Sequence, residues 1–216
     1  LFRSPFHKAD AFSGDQPSTM QDFFDVEKFP GKRGIHTWAS AITEMALYAD
    51  GVAIDDIYDV LGTQAGQDRA FAKLDTIKDH VVFWSAGSKP LDLVNSGEVS
   101  MSLAYNGRIG GAVLNDGADY VTVWDGQVLE EEWLVLLKGA PNRAAAMHFL
   151  VHASSSQAQA DQAKWINYGP MRTSGLDIMQ AGEPWFNTGV SIMEHMPNTP
   201  EHMAGGILAN PDFWAD

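Results

Sequence analysis

The stretch that most restricts the fold is GEVSMSLAYNGRIGGAV, residues 97–113. Val99, Met101, Leu103 and Tyr105 alternate with Ser100, Ser102 and Ala104, the period of a strand with one buried face. The strand runs into Asn106-Gly107, a pair that ordinarily closes a hairpin. The next residues, Arg108-Ile109-Gly110-Gly111-Ala112, do not read as a returning strand. The pair therefore reads as a strand-to-helix turn that leaves Tyr105 at a strand's carboxyl end. Arg108 falls in the first turn of the next helix, where it reads as a structural anchor.

Other segments repeat this grammar. Val81-Val82-Phe83-Trp84 is a short apolar strand, residues 120–124 form another, and Trp133-Leu134-Val135-Leu136-Leu137 is continuously apolar, as expected of a strand covered on both faces. Helices are expected over residues 40–49 and 68–78, after Ser88 with Pro90 in the first turn, and over 143–152 with Asn142 as cap. Ser18 or Thr19 caps a short helix before Phe23 and Phe24. After Ser154 the chain is helical, and from Tyr168 onward it is rich in turns. Strands alternating with helices imply an α/β architecture.

Composition removes several functions. With 216 residues and 45% hydrophobic content the chain can bury a sizeable core. No segment approaches the roughly 20 apolar residues of a membrane span. The absence of cysteine excludes disulfides and thiolate metal sites. Acidic residues outnumber basic ones 28 to 14, which argues against binding nucleic acid. Such acidity either aids solubility or gathers cationic ligands.

Phe29-Pro30-Gly31-Lys32-Arg33-Gly34 sets glycines beside a lysine, but it lacks the phosphate-loop spacing and reads as a turn opening a strand. His148 and His152 stand four apart on a helix, a metal-ligand spacing without the glutamate of zinc proteases. Pro197 and Pro200 separate Glu194-His195 from Glu201-His202, so these do not share a helix. No nucleophile elbow or dinucleotide fingerprint is present. Carboxylate pairs such as Asp55-Asp56 or those within Glu130-Glu131-Glu132 leave an α/β hydrolase or transferase open as an alternative.

The aromatic residues point elsewhere. Trp84, Tyr105 and Trp124 each fall at the end of an expected strand, and Trp38 comes soon after the strand start at Ile35. Open α/β sheets bind ligands at the carboxyl ends of their strands. Aromatic rings there, with acidic neighbours, suit an organic cation.

The order of motifs adds a family. Residues 17–24 lead to Phe29-Pro30-Gly31-Lys32-Arg33-Gly34, and Gly66-Gln67-Asp68-Arg69-Ala70-Phe71 leads to Leu74. Ser96-Gly97-Glu98-Val99 runs to Tyr105-Asn106-Gly107-Arg108, and Trp133 runs to Lys138-Gly139-Ala140-Pro141-Asn142. Residues 146–149, Asn167-Tyr168-Gly169-Pro170, residues 196–201 and Pro211-Asp212-Phe213-Trp214 complete the series. This series resembles the extracellular solute-binding proteins of ABC transporters, in their spermidine/putrescine-binding branch.

The resemblance implies a periplasmic-binding-protein type II fold, a two-lobe α/β clamshell here truncated at the N-terminus. Residues 1–16 would end lobe one, 17–128 build lobe two, 129–165 return to lobe one, and 166–216 cross the hinge into lobe two. It implies a periplasmic, non-enzymatic protein without cofactor that closes on a small cationic, polyamine-like solute and delivers it to a membrane permease. A metal-binding transport protein, suggested by the histidine pairs, is the other alternative. The implied ligand positions are Trp38, Ser85, Tyr105, Glu130, Glu132 and Tyr168. Where the polyamine branch carries acids after the Gly-Ile strand, this chain has Thr37, Trp38 and Ser40, and no acid before Glu44.

Overall fold

A computed structural model of the protein describes residues 2–180 and 192–215. Among them a seven-stranded mixed sheet has the order β3 (Val81–Trp84), β2 (Arg33–His36), β4 (Met101–Tyr105), β1 (Phe2–Lys8), β6 (Val128–Leu129) and β7 (Ile207–Leu208), with β5 (Tyr120–Thr122) also paired to β1. β2 runs parallel to β3 and β4, and β1 runs antiparallel to β4, β5 and β6. The carboxyl ends of β2, β3, β4 and β6 and the amino end of β1 therefore share one edge. β1 thus supplies a central strand of this sheet, although it lies in the segment expected to end lobe one.

Local signals explain most elements. Thr19 forms a reciprocal capping box with Asp22 at the start of helix α1 (Met20–Phe24). Helix α2 (Ile42–Ala49) follows β2, and α3 (Ile57–Leu61) and α4 (Gln64–Asp75) pack beside it. Pro90 occupies the first turn of α5 (Lys89–Asn95), while Ser88 makes no side-chain cap. The Asn106-Gly107 turn opens helix α6 (Asn106–Asp116) directly from β4, as its sequence requires. Phe6, Phe23, Met45, Ile57, Met101 and Ile109 fill the core between sheet and helices.

The later chain is different. Helices α7 (Arg143–Ala153), α8 (Ser156–Ala163), α9 (Thr173–Gln180) and α10 (Pro200–Met203) come next. Leu114 of α6 packs with Ala160, Ala163, Met179 and Met196 in a second, smaller cluster. The apolar run 133–137 is not the strand its composition suggests: it is irregular, and Trp133 is 72% exposed. A strand needs a ladder partner, and no described strand lies against this run. Asn142 likewise makes no side-chain cap on α7, whose residues are all partly or fully exposed.

Candidate functional site

The shared edge of the sheet gathers the aromatic residues. β1 and β4 pair Arg3 with Tyr105, so the guanidinium and the phenol leave the sheet side by side. The Arg3 guanidinium carbon lies 5.4 Å from the centre of the Trp38 ring and 5.7 Å from that of Tyr105. Its Nη2 donates to Glu130 Oε1 at 2.7 Å, and its Nη1 donates to the Ser40 carbonyl at 2.9 Å. Arg3 is buried, whereas Trp38 is 57% exposed, so the cation forms a floor beneath an accessible ring.

The loop that carries Trp38 is held from two sides. Its amide donates to Nδ1 of buried His36 at 2.9 Å. At its far end Ala41 adopts φ 70 and ψ −48, close to a strained γ-turn. That turn presents the adjacent Ser40 carbonyl to Arg3. The His36 ring contacts Trp38 and Trp84 at 4.4 and 4.6 Å, and Trp84 packs edge-on to Tyr105 at 6.3 Å. Trp38 and His36 also wall an apolar groove of about 300 Å³ with Phe71 and Phe83.

Beyond Tyr105 the first turn of α6 meets the segment around Tyr168. A Cβ on Gly107 would lie 2.6 Å from the Tyr168 ring, so the glycine lets the ring rest on the helix backbone. Burial pushes the Tyr168 phenol up, as does the negative charge of Glu132, while Arg108 opposes them. Tyr168 therefore stands within the fields of two exposed, oppositely charged side chains. Asn106 Nδ2 donates to the Asn167 carbonyl, and its Oδ1 accepts from the Phe2 amide at 3.0 Å. This one side chain ties α6, β1 and the Tyr168 segment together.

The residues expected to bind ligand thus fall into two groups. Trp38, Tyr105 and Glu130 surround Arg3, while Tyr168 rests on the start of α6 and feels the charges of Glu132 and Arg108. Ser85 is exposed after β3, and its backbone hydrogen-bonds the His36 ring. Glu44 is fully buried and accepts from Thr43 Oγ1, Tyr58 Oη and Trp214 Nε1 at 3.0, 3.1 and 2.8 Å. Trp124 sits in the interruption between β5 and β6, short of the shared edge because β5 ends opposite Phe6, and stacks on His202 at 4.4 Å. His148 and His152 are exposed on α7, and among the described residues no three metal-ligating side chains converge.

Sequence reasoning missed Arg3 and His36. The available signal was an arginine set between Phe2 and Phe6 near the start of a strand, which only a buried partner such as Glu130 makes tolerable. Burial raises the Glu130 carboxyl above its usual range, and the Arg3 charge opposes that shift. His36 is held below its ordinary value by burial first and by Arg3 second, and His7 is held low by burial. A base held low when folded stays neutral while the unfolded chain takes up protons. Stability is therefore fully present above pH 6.5, the ordinary histidine value, and falls as pH drops through the lower folded values. The thermal midpoint should decline below that pH, and His36→Asn should lessen the decline in calorimetric scans. An unchanged slope would place the effect elsewhere.

With this geometry in view, the likeness to known proteins is informative. The profile of bacterial extracellular solute-binding proteins matches residues 5–188. The chain belongs to that family, whose members are binding proteins and not enzymes. It is 38% identical over 200 residues to the gamma-aminobutyric acid-binding protein of Pseudomonas aeruginosa, covering 93% of this chain and 54% of that one. An ABC transporter substrate-binding protein from Bradyrhizobium japonicum superposes with a TM-score of 0.84 at 34% identity, over 100% of this chain and 64% of the other. The binding protein MotA of A. tumefaciens, solved with glucopine, gives 0.82 at 32% identity over 100% and 65%. The chain thus spans about half the length of the curated relative and about two thirds of these structures. The fold is the mixed α/β fold of periplasmic binding proteins.

Proposed function

We propose that this chain forms the ligand-gripping part of a periplasmic solute-binding protein that captures a small zwitterionic amine, of the 4-aminobutanoate class, and delivers it to an ABC permease. The observation that carries this reading is that two exposed side chains of opposite charge, Arg108 and Glu132, both act on the Tyr168 phenol, whose ring rests on the first turn of α6 just after Tyr105. A carboxylate would take Arg108, which sits in the first turn of a helix where the backbone dipole also favours an anion. An ammonium would take Glu132, and the methylene chain would lie along the aromatic rings. The name of the Pseudomonas relative supports the same class.

A polyamine fits these charges less well. Beside Glu132, its two ammonium groups would meet the exposed Arg108 and the buried Arg3. The role of Arg108 accordingly changes from structural anchor to anion partner. Trp38, Ser85 and Tyr105 line the same cleft in this reading. Residues 129–165 are assigned to the opposite lobe and 166–216 to the hinge crossing in this reading, although Leu129 closes β6 of this sheet and Ala160 and Ala163 pack with Leu114 of α6.

Titration calorimetry of the purified full chain with 4-aminobutanoate and with putrescine tests this directly, since the two share a four-carbon backbone. Binding of the first, weakened by about 10- to 100-fold in Arg108→Ala, is the expected result for loss of a charge-assisted contact. No heat with 4-aminobutanoate, or unaltered affinity in the variant, would overturn the reading.

A further inference from the structure

The two rings that the sequence offers to an organic cation already hold one. Arg3 stands 5.4 and 5.7 Å from the Trp38 and Tyr105 ring centres, the range of a cation–π contact on both sides. The guanidinium is buried, hydrogen-bonded to Ser40 and neutralised by Glu130. Glu130 lies 24% exposed by side chain, so the acid nearest the rings is already engaged. We infer that Arg3 is a specificity-determining residue that excludes cationic solutes, by occupying the inner face of each ring and the carboxylate that an amine would use.

The inference rests on the cleft assigned above, but it makes a separate claim. Arg108 decides whether an anionic end is held, whereas Arg3 decides whether an aromatic wall accepts a second cation. Specificity of this kind comes from a repulsive element as much as from an attractive one. In a site of lowered dielectric the repulsion between a guanidinium and an ammonium is strengthened. Glu130 keeps the buried guanidinium tolerable without giving the site a net negative charge. Arg3 Nε, which is buried and among the described residues makes no hydrogen bond, marks an imperfectly satisfied group retained at this point.

The test is putrescine affinity measured by calorimetry on the full chain, with Arg3→Gln compared to wild type. The variant vacates the ring faces and frees Glu130, and a gain of about tenfold or more is expected. Thermal denaturation run alongside shows whether it folds. If the single variant does not fold, the double variant Arg3→Gln with Glu130→Gln removes both charges together and vacates the rings without leaving a buried carboxylate unpaired. It too should bind putrescine more tightly than wild type. Conversely, Glu130→Gln alone leaves Arg3 uncompensated and should weaken any residual putrescine binding. Equal putrescine affinity in folded wild type and Arg3 variants would overturn the inference. Failure of wild type to bind 4-aminobutanoate would instead overturn the functional reading and leave the putrescine comparison decisive by itself.

Discussion

Arg33→Met is expected to be the most damaging substitution in the sheet. The Arg33 side chain is fully buried and, among the described residues, has no carboxylate in contact. It donates to four backbone carbonyls, those of Phe23, Phe29, Gly31 and Asp25, at 2.7, 2.6, 2.9 and 3.2 Å. Burial pushes its guanidinium down to about 10, with the Asp25 charge opposing. Methionine fills similar volume but leaves those acceptors dry, at about 1 kcal/mol or more each, hence about 4 kcal/mol together. For a domain of this size that lowers the melting temperature by on the order of 10 °C. Arg33→Lys keeps the charge but loses the planar fork, so it should fall between wild type and methionine. A melting point within a degree or two of wild type in Arg33→Met would show that the loop over residues 23–31 is held by something else.

The second large effect is expected at neighbouring glycines of α6, with opposite signs. A Cβ on Gly110 would sit 2.4 to 2.6 Å from the Asn167 side chain, which is buried and donates to the His195 carbonyl at 3.0 Å. Gly110→Ala must displace that asparagine, at about 1–3 kcal/mol of overpacking. Because Tyr168 follows Asn167, ligand affinity should fall as well. A Cβ on Gly111 would meet nothing closer than 4.0 Å. Gly111→Ala should therefore gain about 0.5–1 kcal/mol from helix propensity. Denaturant midpoints of the two variants make the comparison, and a shared sign would remove the packing explanation.

Those glycines illustrate how far the sequence could be read. The alternation at 99–105 and the failure of a return strand after Asn106-Gly107 were enough for a strand, a turn and a helix in that order. They also brought Tyr105 to a strand end, because a period of two leaves little freedom when one face is buried. Which glycine faces a neighbour and which faces open space was illegible, since the neighbour is Asn167, 57 residues beyond Gly110. The run at 133–137 failed for a related reason: apolar character reports a tendency to be covered, and pairing partners decide whether a strand forms.

Charge divided in the same way. The sequence determined the α/β class, the ordered motifs of the solute-binding family, and an aromatic strand edge, because these depend on local period and spacing. It could not decide what the aromatic rings hold. Arg3 meets Tyr105 through antiparallel pairing of β1 with β4, and it meets Glu130 across 127 residues of chain. Only the tertiary structure shows that the protein fills its own aromatic wall with a cation. The physical reason is that cation–π and ion-pair energies act over a few ångströms, and such distances between remote segments are set by sheet register and by the loops it anchors.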